Sequence, residues 1–219
     1  MRIQNLILPL LGLLFAGLGL AIWWYFIPLF NQEAARIEPL TPLTASTLAE
    51  SPLGQEALIE GRVSERNPTQ FRLFVAYVRY EYRGDNDEGK SKWVEDERIT
   101  PPLWLDLPGG RVQLANDNYP LHGQKVIWQS EPTLHWNISN SEGTKSYEGF
   151  ERSNPILAGG VVVEGVEGRQ FKAAWLYGGT RAGYIEDQYS SVTVVWWVGL
   201  AFIGVGAILL AIAAWLFFR

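Results

Sequence analysis

The sequence of 219 residues contains no cysteine. That excludes a disulfide framework, a Cys-ligated zinc or iron–sulfur centre, a RING finger and a thiol nucleophile. There are only two histidines, His122 and His135, in loop-rich sequence with no third ligand at a metal-binding spacing, so two ordinary polar histidines are the preferred reading. No G-x-S-x-G, H-E-x-x-H, S-x-x-K, G-x-G-x-x-G or P-loop string occurs, which removes the common hydrolase, zincin and nucleotide signatures. With 18 Lys and Arg against 23 Asp and Glu, and no basic cluster free of interleaved acid, nucleic acid is not the expected partner. No catalytic residue, metal ligand or cofactor is assigned.

Charge is missing from two long stretches, Ile3 to Gln32 and Gln188 to Phe218, so every acidic residue lies between them. Leu6 to Phe30 and Val192 to Phe218 are nearly all apolar, and at about 1.5 Å per helical residue each exceeds the roughly 30 Å hydrocarbon core of a bilayer. Trp23 to Phe26 close the first run; Trp196 and Trp197 open the second, and Trp215, Phe217 and Phe218 end it, as interfacial aromatic belts do. The reading is an integral two-pass membrane protein with helices over 3–30 and 192–218. The first run is too long for a signal-peptide core and no clear cleavage site follows it. Arg2 ahead of the first span favours both termini in the cytoplasm and the central region on the far side. Gly12 with Ala16, Gly17 with Ala21, and Ala207 with Ala211 supply small-residue pairs for packing the helices on each other or in a homo-oligomer; ordinary membrane-helix composition explains them as well.

Residues 31–191 hold 16 Lys and Arg against 23 Asp and Glu, an acidic region of about −7. After a polar linker over 31–44, Thr44 to Ser51 reads as one short capped helix stopped by Pro52. Strand patterns follow at Ala57–Ser64, Phe71–Arg83, Trp93–Ile99, Leu103–Leu107, Arg111–Leu114, Lys125–Gln129, Gly160–Gly165 and Arg169–Tyr177. Phe74, Ala76, Val78, Tyr80 and Tyr82 should share one face, as should Phe171, Ala173, Trp175 and Tyr177. Pro108-Gly109-Gly110 marks a hairpin, and Asn137 to Gly149 reads as a polar loop. The fold class expected is mainly β, a small antiparallel β-barrel or sandwich over 45–190 between two transmembrane helices.

Several short motifs have plain readings beside the functional ones. Asp85-Asn86-Asp87-Glu88-Gly89 is similar to a calcium loop but lacks the glycine and glutamate an EF-hand needs at its sixth and twelfth positions, so a solvated hairpin tip is expected. Glu95, Asp96 and Glu97 are consecutive on a strand, where neighbours point to opposite faces, and read as a charged edge rather than a catalytic pair. Asn137-Ile138-Ser139 fits a glycosylation acceptor and Arg83-Gly84-Asp85 an adhesive tripeptide, both short enough to arise by chance.

The order of span, β-rich domain and span resembles the GIDE-type or "beside a membrane" (BAM) domain of the mitochondrial-anchored E3 ubiquitin and SUMO ligases. The matching stretches are Ile59-Glu60-Gly61-Arg62-Val63, the hairpin Pro102 to Val112 with Leu105 and Gly110, and Leu157 to Gly165 with its return strand ending at Gly178 and Gly179. The resemblance implies the same orientation and a β-domain that contacts regulatory or substrate proteins. Those ligases carry a RING after the second span; these residues hold none, so ligase activity is not expected to transfer. The expected function is a non-catalytic membrane-anchored scaffold for a protein partner. The alternatives are a component of a GIDE-like ubiquitin-ligase system, an unrecognised membrane-associated enzyme built around His122 or His135, or a membrane organiser acting through its spans.

Overall fold

The computed structural model describes residues 4–86, 89–130, 142–165 and 168–217. Its four α-helices are α1 (Gln4–Ala21), α2 (Ile27–Ile37), α3 (Ala45–Glu50) and α4 (Arg181–Phe217), with a π-helical turn, Ile22–Phe26, joining the first two. The chain divides into two units, Met1–Pro39 with Ile185–Arg219, and Leu40–Tyr184.

Two stretches are helical, long and apolar enough to cross a membrane, Ile7–Phe26 and Arg181–Phe217, the second belonging to the first unit from Ile185 onward. They run antiparallel with little between them. A Cβ on Gly12 would lie 2.8 Å from Leu210 Cγ, and one on Gly206 would lie 2.6 Å from the backbone nitrogen of Ala16. Glycine at these points lets the backbones approach. Phe15 stacks on Phe202 and Trp23 on Trp196, at 5.5 and 5.6 Å between ring centroids, and the Trp23 indole donates to the Trp196 carbonyl at 3.1 Å. Gly17, by contrast, has nothing within 4 Å of where a Cβ would sit.

Pro28 accounts for the π turn. It has no N–H for the Trp24 carbonyl four residues back and its ring crowds that group; the ladder widens, and the Ile27 N–H reaches Ile22. The helix then resumes through Ile37, into the 31–44 stretch expected to be linker, helped by an Arg36–Glu33 pair at 2.7 Å. Helix α4 likewise starts well before the expected Val192.

Among its described residues the second unit holds ten strands: β1 (Glu56–Val63), β2 (Phe74–Asp85), β3 (Ser91–Ile99), β4 (Trp104–Leu107), β5 (Gly110–Gln113), β6 (Leu121–Gly123), β7 (Val126–Gln129), β8 (Lys145–Glu151), β9 (Pro155–Gly165) and β10 (Gly168–Gly178). They form a six-stranded sheet, β5-β4-β1-β9-β10-β6, and a four-stranded sheet, β3-β2-β8-β7. Pairing is antiparallel except between β10 and β6. Side chains from both sheets enter one core, including Ile59, Val78, Leu105, Phe150, Ile156 and Phe171. The larger sheet curls until Leu114, just past β5, forms an isolated parallel bridge with Phe171. Neither sheet closes into a barrel among the described residues. Thr44 caps α3 through a reciprocal bond with Thr47, and Leu48 carries that helix into the core.

Bulges change which face several residues use. A register shift between Phe74 and Ala76 sends Phe74 to the outer aromatic cluster with Tyr77 and Tyr147, while Ala76 and Val78 stay in the core. A second shift, between Ala173 and Trp175, puts Leu176 in the core and frees Trp175 and Tyr177 to pack on Tyr184. The strand expected from Phe71 begins at Phe74, because Phe71–Phe74 is a tight turn bonded in both directions, with Arg72 at φ 50°. The latter part of the polar loop expected over Asn137–Gly149 is strand β8. It has to pass close to β2, since a Cβ on Gly149 would run into the Ala76 carbonyl and lie 2.8 Å from Tyr77 Cα. Gly149→Ala should therefore destabilise the second unit by about 1–3 kcal/mol, whereas Gly17→Ala, with open space around it, should be neutral or better. Thermal unfolding of the full chain in detergent, followed by near-UV circular dichroism, separates the two outcomes.

Candidate functional site

The family-like residues gather in two places. Ile59, Glu60, Gly61 and Val63 lie on β1, bonded to β4 on one side and β9 on the other. Gly61 is required there, because a Cβ would meet the Asp106 carbonyl of β4. Glu60 points to the end of β10: the Arg181 N–H donates to its Oε1 at 3.4 Å, and Thr180 Oγ1 accepts the Gly183 N–H at 3.2 Å. Between them they satisfy N–H groups that a helix start leaves without partners, and the carboxylate suits the positive end of the helix dipole. Gly178 and Gly179 lead into this point; the Gly179 N–H donates to Pro155, and its φ of 144° disfavours any side chain. Trp175 stacks on Tyr184 at 4.8 Å and 6°, so the first turn of α4 is clasped to β10. Gly165 closes the other end of β9, opposite Gly168.

Pro102, Leu105, Gly110 and Val112 belong to the β4–β5 hairpin region. Leu105 and Val112 are core residues, and Gly110 passes 3.0 Å from Ala45 Cβ of α3, measured from an added Cβ. Here the second unit opens a cleft of about 490 Å³, within the roughly 300–1,000 Å³ typical of ligand sites. Ala45, Leu48, Ala49 and Val112 form its apolar wall; Trp104, Arg111, Gln113, Arg169 and Gln170 supply the polar one. No carboxylate lines it among the described residues, although the unit is acidic overall. Arg111 is held by Asp106 at 2.6 Å, and Arg66 lies over Trp104, 5.0 Å from the ring centroid. Buried Asn67 fixes Trp104 by bonding its N–H and carbonyl, both at 2.8 Å. Sequence reading passed over Trp104, Arg169 and Gln170, which carry no motif; an arginine beside a turn glycine at Gly168 was the sole signal.

Away from the cleft, the other described residues singled out by the sequence make ordinary local contacts. Among the described residues, no group of three or more His, Asp or Glu side chains is placed to hold a metal. His122 stands on edge strand β6, its pKa lowered by partial burial and by Lys125 and Arg98; His135 lies outside the described residues, as does the 137–139 sequon. Asn86 makes a turn of the acidic run, its Oδ1 accepting the Lys90 N–H at 2.8 Å, while Asp85 accepts from Tyr82 at 2.7 Å. Arg83 pairs with Glu81 at 3.0 Å.

Glu95, Asp96 and Glu97 do lie on an edge strand, but a shift in the β2–β3 register accompanies two neighbouring carboxylates on one guanidinium. Arg79 binds Asp96 at 2.9 Å and Glu97 at 3.0 Å. Lys145 then bridges Asp96 and Glu81 at 2.6 and 2.8 Å. Hydrogen bonds from Arg79 and then Lys145 hold the Asp96 carboxyl below its ordinary value. Burial, and then the hydrogen bond to Glu97, push the Tyr77 hydroxyl up to about 12. The arrangement is an ion-pair clasp between β2, β3 and β8.

Searches against known protein families, curated proteins and solved structures find no match to this chain.

Because the Asp96 pKa is lowered on folding, its contribution to stability is complete above the unfolded value, about 3.9, and is lost as pH falls through the folded one. Chemical denaturation from pH 7 to 2 should show this loss. Asp96→Asn should lower stability at neutral pH and flatten the acid limb; an unchanged limb would mean that the clasp contributes nothing.

Proposed function

We propose that this chain is a two-pass membrane protein whose second unit, a two-sheet β-sandwich of the GIDE or BAM kind, acts as a non-catalytic binding module for a partner protein, with both termini in the cytoplasm and the module on the opposite side. The observation that carries the reading is the pairing of two membrane-length apolar helices with a β unit bearing a cleft that joins an apolar wall to arginine, glutamine and tryptophan. Such a lining binds and orients, and its described residues include no histidine, serine or carboxylate. Ubiquitin-ligase chemistry is not part of the proposal, because residues 1–219 contain no cysteine for a RING.

Photo-crosslinking in native membranes tests it, comparing the full chain with a variant in which residues 45–179 are replaced by a flexible linker. Partners recovered with the full chain and lost with the variant are expected; an identical set from both would refer function to the spans. The cysteine-free sequence makes topology directly measurable. Leu73→Cys, at a position 65% exposed, should react with a membrane-impermeant maleimide added outside intact cells, and Arg2→Cys should react only after permeabilisation. The reverse pattern would invert the orientation.

A further inference from the structure

The cleft is an unzipped seam between two strands. At the Leu114–Phe171 bridge, the end of β5 and β10 run parallel, so continuing the ladder backward would pair Gln113 with Gln170, Val112 with Arg169, and Arg111 with Gly168. Those six residues line the cleft. The rungs are unmade: among the described residues β5 pairs only with β4, and this part of β10 only with β9.

Backbone alternation shows what faces the opening. The Leu114 N–H donates inward to Leu103, and the Ala115 N–H outward to Phe171; odd-numbered Arg111 and Gln113 therefore turn their N–H and carbonyl groups away from β4, toward β10. By the same alternation from Phe171, Arg169 turns its own toward β5. Beyond the bridge the corresponding groups are occupied by a peptide mimic. The Asn116 carboxamide donates to the Ala173 carbonyl and accepts from its N–H, both at 2.8 Å. One side of the bridge is thus completed by a built-in amide, and the other is left open onto a cleft whose described lining residues carry two guanidiniums and no carboxylate.

We propose that the open seam binds an extended acidic peptide segment of a partner protein, which adds backbone to backbone between β5 and β10 and sets a carboxylate side chain against Arg169. This rests on the binding-module reading and gives the partner's chemistry. Backbone bonds supply affinity in strand addition, and alternate side chains supply selectivity. Here Arg169 and the Trp104 face select an acid followed by an apolar residue. Arg111, already held by Asp106, contributes mainly its backbone.

The test uses the full chain in neutral detergent and a blocked pentapeptide alternating valine and glutamate. Ala49→Cys places the sole thiol at the cleft, and Leu73→Cys serves as the distant control. The peptide should slow maleimide reaction at position 49 and leave position 73 unchanged, while the lysine counterpart and an N-methylated glutamate peptide should do neither. Arg169→Gln should weaken the glutamate peptide by about tenfold, the scale of one charge-assisted hydrogen bond. Equal protection by the lysine or N-methylated peptide, or by free glutarate, would overturn strand addition; because the last two comparisons change only the ligand, they stand even if a variant misfolds. Failure of the peptide while crosslinked partners still depend on residues 45–179 would sink this inference alone, whereas loss of that dependence sinks the binding-module reading.

Discussion

Strand β1 is the member on which the second unit turns. It is bonded along both edges, to β4 and to β9, and its Gly61 lets the β4 backbone approach where any side chain would collide. The next residue back, Glu60, reaches the start of α4. A single Glu-Gly step therefore serves sheet closure on one side and helix capping on the other. Hairpin, sheet and helix root are arranged around the same few backbone atoms, and a displacement of β1 would be felt at all three.

Much of this was legible in the sequence because it follows from periodicity and length. Charge-free runs over 3–32 and 188–218 announced membrane-length helices, Pro108-Gly109 announced its hairpin, and Thr44 with Pro52 bracketed α3. What escaped has a common physical cause: a strand pattern assigns faces by parity, and one inserted residue reverses the parity beyond it. Phe74 was expected to share a face with Ala76 and Trp175 with Ala173, and each lies across a bulge from that neighbour. Asp96 and Glu97 were expected to diverge and instead converge on Arg79. The helix extending to Ile37 was hidden because Asn31, Gln32, Glu33 and Arg36 are polar, and polarity alone does not distinguish linker from helix.

The cleft was illegible for another reason. Its strand residues come from two hairpins more than fifty positions apart and meet only because the larger sheet curls. Nothing in Gly168-Arg169-Gln170 reports that Arg111 and Gln113 lie across from it. The family-like residues, by contrast, are mostly glycines and core aliphatics, which report close approach and packing. They locate the scaffold around the cleft and leave its recognition chemistry to neighbours of no evident pattern.

The π turn at Ile22–Phe26 carries a consequence for evolution of the first helix. A widened turn accommodates one extra residue without breaking the rod, and each residue advances an α-helix by about 100°. Everything on the C-terminal side, Glu33 and Arg36 included, is rotated relative to the α1 face that packs through Gly12 and Phe15. Single-residue insertions and deletions near Pro28 are thus a means of re-phasing α2 independently of the helix pair: the membrane contact can stay fixed while the polar face that follows it is turned toward a different neighbour.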